Sequence, residues 1–153
     1  MKTTMSVSRA LKEKSRILTK LSEARDMVHK YNAVDLGTRR PIAVKEAIER
    51  AAQLEENLIR IKVAIEEANL PINRQLIEMM AVRAELAFYA GLDTDEVRTV
   101  TRRDEEEVKV TRDVSVGQTE VLKKIEELKE KIDRLQDEVD EFNAVHKVEV
   151  ELV

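Results

Sequence analysis

The sequence has no cysteine and no tryptophan, and its 153 residues include only three glycines and two prolines. Without cysteine there can be no disulfide bond, no thiolate nucleophile and no thiolate-bound metal. Three isolated glycines cannot form a phosphate-binding loop or a dinucleotide-binding turn, and no Gly-x-Ser-x-Gly motif is present. These absences remove the usual enzyme signatures, so we expect no catalytic residues, no cofactor and no small-molecule substrate.

Long apolar runs are also missing. No stretch approaches the roughly 18 consecutive apolar residues of a membrane-spanning helix, and the first residues lack the apolar core of a secretory signal peptide. We therefore expect a protein that does not contact membranes and is not secreted by a signal peptide. A cytoplasmic location, or a place within a virion or other particle, fits these features.

What the sequence does contain favours long helices. Charged residues make up 38% and aromatic residues 3% of the chain, a composition typical of helices that pack through aliphatic side chains. The length suits a single domain over residues 1–153. We predict a mainly α fold: an antiparallel bundle of three long helices with one short helix, a β-hairpin or β-arm over 97–116, and a strand over 145–153.

The clearest helical pattern lies in the last long helix, predicted over 119–142. Its apolar residues alternate spacings of three and four, which places them along one seam: Val121, Ile125, Leu128, Ile132, Leu135, Val139 and Phe142. The seam suits either a parallel coiled coil with a second copy or packing within the bundle. In a coiled coil Lys124 would face Lys129 of the second copy, and Lys131 would face Gln136. Because neither pair is attractive, we favour packing within the bundle.

Two further long helices are predicted over 7–31 and 43–68 from the same three–four spacing of apolar residues. Ser6 or Ser8 can cap the first. Matched lengths and a short connection favour antiparallel neighbours. The short helix, over 73–90, is apolar around nearly its whole circumference. Such a helix lies either at the centre of a fold or in a subunit interface.

Residues 97–116 change to an alternation of two, with β-branched residues on both sides of the charged stretch 102–107. This pattern predicts a β-hairpin or an extended arm. The alternation returns over 145–153, and that segment could add a third strand to the hairpin. The apolar short helix and this arm supply our interface candidates: Leu76, Ile77, Met79, Met80, Arg83, Phe88, Tyr89, Val108 and Val110. Arg83, the charge within the apolar helix, is expected to pair with a buried or half-buried carboxylate such as Glu78 or Glu85, or with one from another helix or subunit.

Charge is distributed unevenly along the chain. Residues 1–45 carry 11 Lys and Arg against 4 Asp and Glu, a net of +7, whereas residues 46–153 have a net of −11. Either the basic first helix lies against acidic helices of the same fold, or a basic surface meets an anionic partner. The candidate nucleic-acid contacts are Lys2, Arg9, Lys12, Lys14, Arg16 and Lys20. We expect these side chains to spread around the helix, and stacking aromatics are scarce, so nucleic-acid binding is not favoured.

The layout resembles the septicolysin family of small bacterial helical proteins. The stretches that carry the resemblance are Ile65-Glu66-Glu67-Ala68-Asn69, Arg83-Ala84-Glu85-Leu86, Glu107-Val108-Lys109-Val110 with Asp113-Val114, and Leu135 through Asn143. Members have long helices ending in Asn, an Arg-bearing short helix, an extended segment and a final long helix, so the resemblance implies the same architecture. The family name implies membrane lysis, yet this sequence has neither a signal peptide nor a uniformly apolar helix. We carry over no activity.

The leading hypothesis is a non-enzymatic structural or assembly protein that works as a homo-oligomer or as a component of a larger particle, for example a virion. A nucleic-acid-associated accessory protein, using the basic N-terminal helix, is the alternative. A third possibility is a metal enzyme through Asp26 and His29, which are three residues apart on one helical face. A di-iron bundle needs two Glu-x-x-His pairs and two more carboxylates, and His146 falls in the predicted strand. We therefore expect no metal site.

Overall fold

The computed structural model describes residues 2–102 and 106–153 and has a mainly helical fold with small β elements, as the sequence predicts. Its four helices and two antiparallel strand pairs confirm the predicted class, a helical bundle with small β elements. The elements follow in the order β1 (Lys2–Ser6), α1 (Val7–Tyr31), α2 (Val44–Ala68), a 3₁₀ turn (Leu70–Ile72), α3 (Asn73–Ala90), β2 (Val97–Thr101), β3 (Glu107–Thr111), α4 (Gln118–Val145) and β4 (Lys147–Glu151).

The chain divides into two compact units. The first contains the residues up to Asn73 together with Val139–Val153, and the second is Arg74–Glu138. The first unit therefore holds β1, α1, α2, β4 and the last turns of α4. The second holds α3, the hairpin β2–β3 and the longer part of α4. That residues 1–153 act as a single domain stays a prediction.

In the first unit, α1 and α2 lie side by side, and a short connection makes them antiparallel. The side chain of Ser6 accepts a hydrogen bond from the backbone of Arg9 at 3.3 Å, so Ser6 is the helix cap of α1. The apolar stripes of both helices meet β4 in one core. Its buried members are Val7, Ala10, Ile17, Leu21, Leu58, Ile61, Ile65, Val148 and Val150. These buried members are all aliphatic, as the composition predicts.

The last strand does not extend the hairpin, so that part of the prediction is wrong. Instead β4 pairs antiparallel with β1, placing Met5 opposite Val148 and Thr3 opposite Val150. The valines of β4 alternate with charged residues, and the valine face is buried on the core. The strand that pairs with β4 is therefore β1, which directly precedes α1. Both strands belong to the same unit as α1 and α2.

In the second unit, α3 and α4 are antiparallel and joined by side-chain contacts. Glu78 lies 2.7 Å from Lys131, and Glu85 lies 3.8 Å from Lys124. The second contact is further towards the end of α3 and the start of α4, which gives the antiparallel direction. The buried apolar residues of these two helices within the unit are Met79, Val82, Val121, Leu128 and Leu135. The seam of α4 is thus packed within the chain.

The hairpin has the predicted location with shorter strands. β2 and β3 pair antiparallel, with Val100 opposite Val108 and Arg98 opposite Val110. Val114 and Val116, predicted within the arm, lie beyond β3 in the connection to α4. Residues 103–105 of the predicted charged tip lie outside the described residues. All residues of β2 and all but Val108 of β3 are exposed to solvent.

Candidate interaction surfaces

The nine interface candidates do not share one environment. Met79 is buried, and Leu76 and Tyr89 are half-buried. The exposed members on α3 are large apolar side chains, with exposed fractions of 59% for Ile77, 70% for Met80 and 62% for Phe88. The structure therefore separates the candidates of α3 into an inner and an outer set.

The three exposed apolar candidates and two exposed alanines form a continuous apolar face, which we call the α3 face: Ile77, Met80, Ala81, Ala84 and Phe88. With 3.6 residues per turn, these residues lie within about 100° of one another and extend roughly 16 Å along the helix. Met79 and Val82, which are buried, project from the opposite side. Both sides of α3 are thus apolar, and only one of them is covered.

The sequence suggested that Arg83 pairs with Glu78 or Glu85, and the structure shows a different partner. The Arg83 guanidinium donates a hydrogen bond to Gln136 at 3.2 Å, while the two glutamates pair with lysines of α4. The hydrogen bond from Lys131, followed by its positive charge, lowers the pKa of Glu78 below its ordinary value of 4.5. Polar contacts of α3 therefore secure its inner side to α4 and leave the α3 face uncharged.

One side of the hairpin carries three valines, of which Val100 and Val110 are exposed and Val108 is half-buried. In the pairing register Val108 and Val110 share one side of the sheet with Arg98 and Val100. Val100 was not among the sequence candidates, although it lies directly opposite Val108. The alternation alone does not reveal this pair, because the register of a hairpin is fixed by its turn.

The basic residues of α1 form a stripe, contrary to the expected spread. Arg9, Lys12, Arg16 and Lys20 lie within about 80° of one another on the continuous helix Val7–Tyr31. We call these four residues the basic stripe. Arg16 pairs with Glu13 on the same helix at 3.4 Å. No ion pair joins Arg9, Lys12 or Lys20 to any residue that the structure describes.

The other two basic candidates lie elsewhere. Lys14 is half-buried on a different side of α1, and Lys2 lies opposite Glu151 in the β1–β4 pair. Between α1 and α2, the ion pair among the described residues is Arg25–Glu55 at 2.9 Å. The four residues of the basic stripe are exposed to solvent, and Lys20 lines a pocket with Glu46 of α2. Both interpretations of the charge asymmetry stay predictions.

An open groove of about 390 Å³ lies between α2 and β4 in the first unit. Its floor is apolar, formed by Ile59, Val63, Ala64 and Val150. Its rim is acidic, formed by Glu67, Glu149 and Glu151. The remaining lining residue, Arg60, is already engaged: its guanidinium donates to Glu56 at 2.9 Å and to the backbone oxygen of Glu151 at 3.2 Å. We call this feature the acidic groove.

A polar groove of about 380 Å³ lies between α3 and α4 in the second unit. Arg74, Lys131 and Arg134 line it together with Glu78 and Glu138, so charges of both signs are mixed. Gln75 also lines it, and its buried Oε1 atom has no hydrogen-bond partner among the described residues. The mixed charges select no ligand class.

The candidate metal ligands of the sequence analysis are Asp26 and His29. Within residues 2–102 and 106–153, no group of three or more His, Asp or Glu side chains is arranged to hold a metal ion. Asp26 and His29 therefore gain no third ligand from this part of the chain. His146 instead stacks on the ring of Phe142, with centroids 4.5 Å apart.

Comparisons with protein-family models, with curated proteins and with solved structures find no match to this chain. Among the described residues, no helix combines the length and the apolar character needed to cross a membrane. The exposed surfaces of the chain itself are therefore the basis for a proposal of function.

Proposed function

We propose that this chain is a non-enzymatic structural or assembly protein that works as a homo-oligomer or as a component of a larger particle, such as a virion. The observation that carries the proposal is the α3 face. It presents an uncharged apolar surface on the side of α3 opposite to the packed side. Contiguous exposed apolar patches mark sites of protein–protein contact.

The size of the α3 face sets how strong such contact can be. Fully burying a large apolar side chain contributes about 1.5–3 kcal/mol. Ile77, Met80 and Phe88 are 59–70% exposed, so each can contribute about 1–2 kcal/mol. Pairing two such faces gives about 6–12 kcal/mol, against an association cost of about 4–15 kcal/mol. The α3 face alone therefore supports weak association, and a stable assembly needs further contacts.

The proposal is tested by measuring mass in solution for the wild type and for Ile77→Glu/Phe88→Glu. Placing two carboxylates on the α3 face should shift the protein to a smaller species, because burial would require their desolvation. Leu36→Glu is the matched control, since Leu36 is fully exposed in the connection between α1 and α2. Leu36→Glu should keep the mass of the wild type. If Ile77→Glu/Phe88→Glu keeps it as well, the α3 face does not hold the assembly.

The basic stripe favours a second candidate, a nucleic-acid-associated accessory protein. Four cations over roughly 16 Å of helix could contact several phosphates. The binding constant for double-stranded DNA would then fall steeply with salt. A plot of its logarithm against the logarithm of the salt concentration should have a slope of about −0.9 for each neutralised phosphate. Lys12→Glu/Lys20→Glu should abolish retention on double-stranded DNA. A wild-type protein that is not retained at low salt contradicts this candidate.

A further inference from the structure

We propose that the basic stripe of one copy docks in the acidic groove of a second copy. This inference rests on the proposed homo-oligomer, and it assigns to that oligomer a contact separate from the α3 face. The two surfaces have opposite charge and are formed by different elements of the same unit, the stripe by α1 and the groove by α2 and β4. Each chain therefore carries one of each.

The acidic groove has the features of a site for cationic side chains. Glu67 and Glu149 lie on its rim, and neither forms an ion pair with a residue that the structure describes. The floor between them is apolar, with Ile59 and Val63 about half exposed. An occupant should thus combine positive charge with aliphatic surface.

Lysine and arginine side chains provide that combination, because their aliphatic stems cover apolar surface while the charged ends stay at the rim. The basic stripe presents four such side chains on one side of α1. It extends roughly 16 Å, and the wall of the groove from Ile59 to Glu67 extends roughly 12 Å. Three or four of these side chains can therefore lie along the groove at once.

A second copy explains both surfaces, whereas nucleic acid explains only one. The basic stripe could also attract phosphates, but the acidic groove would repel them. Self-docking brings together glutamates and lysines that, within residues 2–102 and 106–153, form no ion pairs. Because every chain supplies one stripe and one groove, an assembly of any size contains equal numbers of the two surfaces.

Stripe and groove are different surfaces, so their contact is head-to-tail. Such contacts close into a ring or extend into a filament. The contact is mainly electrostatic, so it should weaken as salt shortens the screening length from about 10 Å at 0.1 M to about 3 Å at 1 M. The weak apolar contact of the α3 face should be much less sensitive to salt.

The experiment uses two charge-reversed variants of the full chain and measures sedimentation at about 50 mM and about 500 mM salt. Lys12→Glu/Lys20→Glu reverses part of the stripe, and Glu67→Lys/Glu149→Lys reverses the groove. Each should weaken low-salt association about tenfold or more. Their equimolar mixture should recover it, because the reversed stripe of one variant then fits the reversed groove of the other. Arg39→Glu/Lys45→Glu, with the same charge change on exposed residues, is the control and should behave as the wild type.

The proposal is overturned if the mixture associates no better than the separate variants, or if neither variant changes low-salt association. It is also overturned if Lys12→Glu/Lys20→Glu loses retention on double-stranded DNA while self-association is unchanged, since the stripe then serves nucleic acid. In each of these cases Ile77→Glu/Phe88→Glu can still reduce the mass, which would leave the proposed oligomer intact. A chain that is monomeric under all conditions contradicts both proposals.

Discussion

The side chain of Asn57 holds the backbone of Val153 through two hydrogen bonds. The Asn57 amide nitrogen donates to the backbone oxygen of Val153 at 2.9 Å, and the Val153 N–H donates to the Asn57 oxygen at 2.8 Å. Asn57 is the buried polar residue within α2. The Asn57 side chain thus satisfies the N–H and the C=O of Val153, as a neighbouring strand would do. These two bonds attach the segment after β4 to α2.

Asn57→Ala should lower the free energy of unfolding by about 1–2 kcal/mol. Two hydrogen bonds are lost, each worth about 0.5–1.5 kcal/mol, and the better helix propensity of alanine offsets part of that loss. Urea denaturation at a fixed protein concentration measures the change. Gln53→Ala, which removes an exposed amide from the same helix, should stay within about 0.5 kcal/mol of the wild type. Equal stability of the two variants would contradict a structural role for the Asn57 contact.

The aliphatic core predicts a large difference between two isoleucines of α2. Ile61 is 0% exposed, whereas Ile59 is 53% exposed. Ile61→Ala should cost about 2–5 kcal/mol, because it removes buried methylenes and leaves a cavity. Ile59→Ala should cost about 1 kcal/mol or less. Thermal and urea unfolding of both variants test this contrast, and similar losses would mean that α2 packs with a different face.

The contact between Glu78 and Lys131 should be visible in the pKa of Glu78. The hydrogen bond and charge of Lys131 lower that pKa below 4.5. Carboxyl chemical shifts followed by NMR across acidic pH should show this, and Lys131→Met should raise the pKa of Glu78 towards 4.5. Lys129→Met, on the other side of α4, should leave it unchanged. A pKa of Glu78 that does not respond to Lys131→Met would contradict the contact.

The sign of the resulting pH dependence follows from the lowered pKa. Because the folded state holds Glu78 ionised more strongly than the unfolded state does, the contact stabilises the fold above pH 4.5. That stabilisation is lost as the pH falls through the lower folded pKa. The contact between α3 and α4 should therefore weaken in acid.

The hairpin is closed at its base by an ion pair between Asp93 and Arg112, with 2.6 Å between the carboxylate and the guanidinium. The Arg112 side chain, and then the backbone N–H of Asp95, lower the pKa of Asp93 below its ordinary value of 3.8. Asp93→Asn removes the charge and should speed amide exchange throughout β2 and β3. Hydrogen exchange measured by NMR tests this, with Asp113→Asn as the control. Unchanged exchange in Asp93→Asn would show that the pair does not support the hairpin.

The helices could be predicted from the sequence because their evidence is local. Apolar spacing, the Ser6 cap and the proline after α2 define the bounds to within one residue for α1, α2 and α3. The sequence does not predict the strand β1, because Lys-Thr-Thr-Met-Ser contains a single large apolar residue. The strand β4 was predicted, but its pairing with β1 was not, because that pairing depends on contact between the two ends of the sequence.

The candidate surfaces were only partly predictable. The apolar circumference of α3 indicated an interface, but which side is covered depends on α4 and cannot be derived from α3 alone. The basic stripe follows from the angular positions of Arg9, Lys12, Arg16 and Lys20 on the continuous helix α1. The acidic groove requires β4 to lie beside α2, which no local pattern predicts. Asn57 had a weak signal: a residue of low helix propensity at the border of an apolar stripe.

The most direct test of the account is the native mass of the wild-type protein, measured by sedimentation and light scattering from low to high micromolar concentration. The account predicts a species heavier than the 17.6 kDa chain, with a proportion that rises with concentration and falls in Ile77→Glu/Phe88→Glu. A single 17.6 kDa species across the whole range, with no other protein recovered alongside it, would contradict self-assembly through the α3 face.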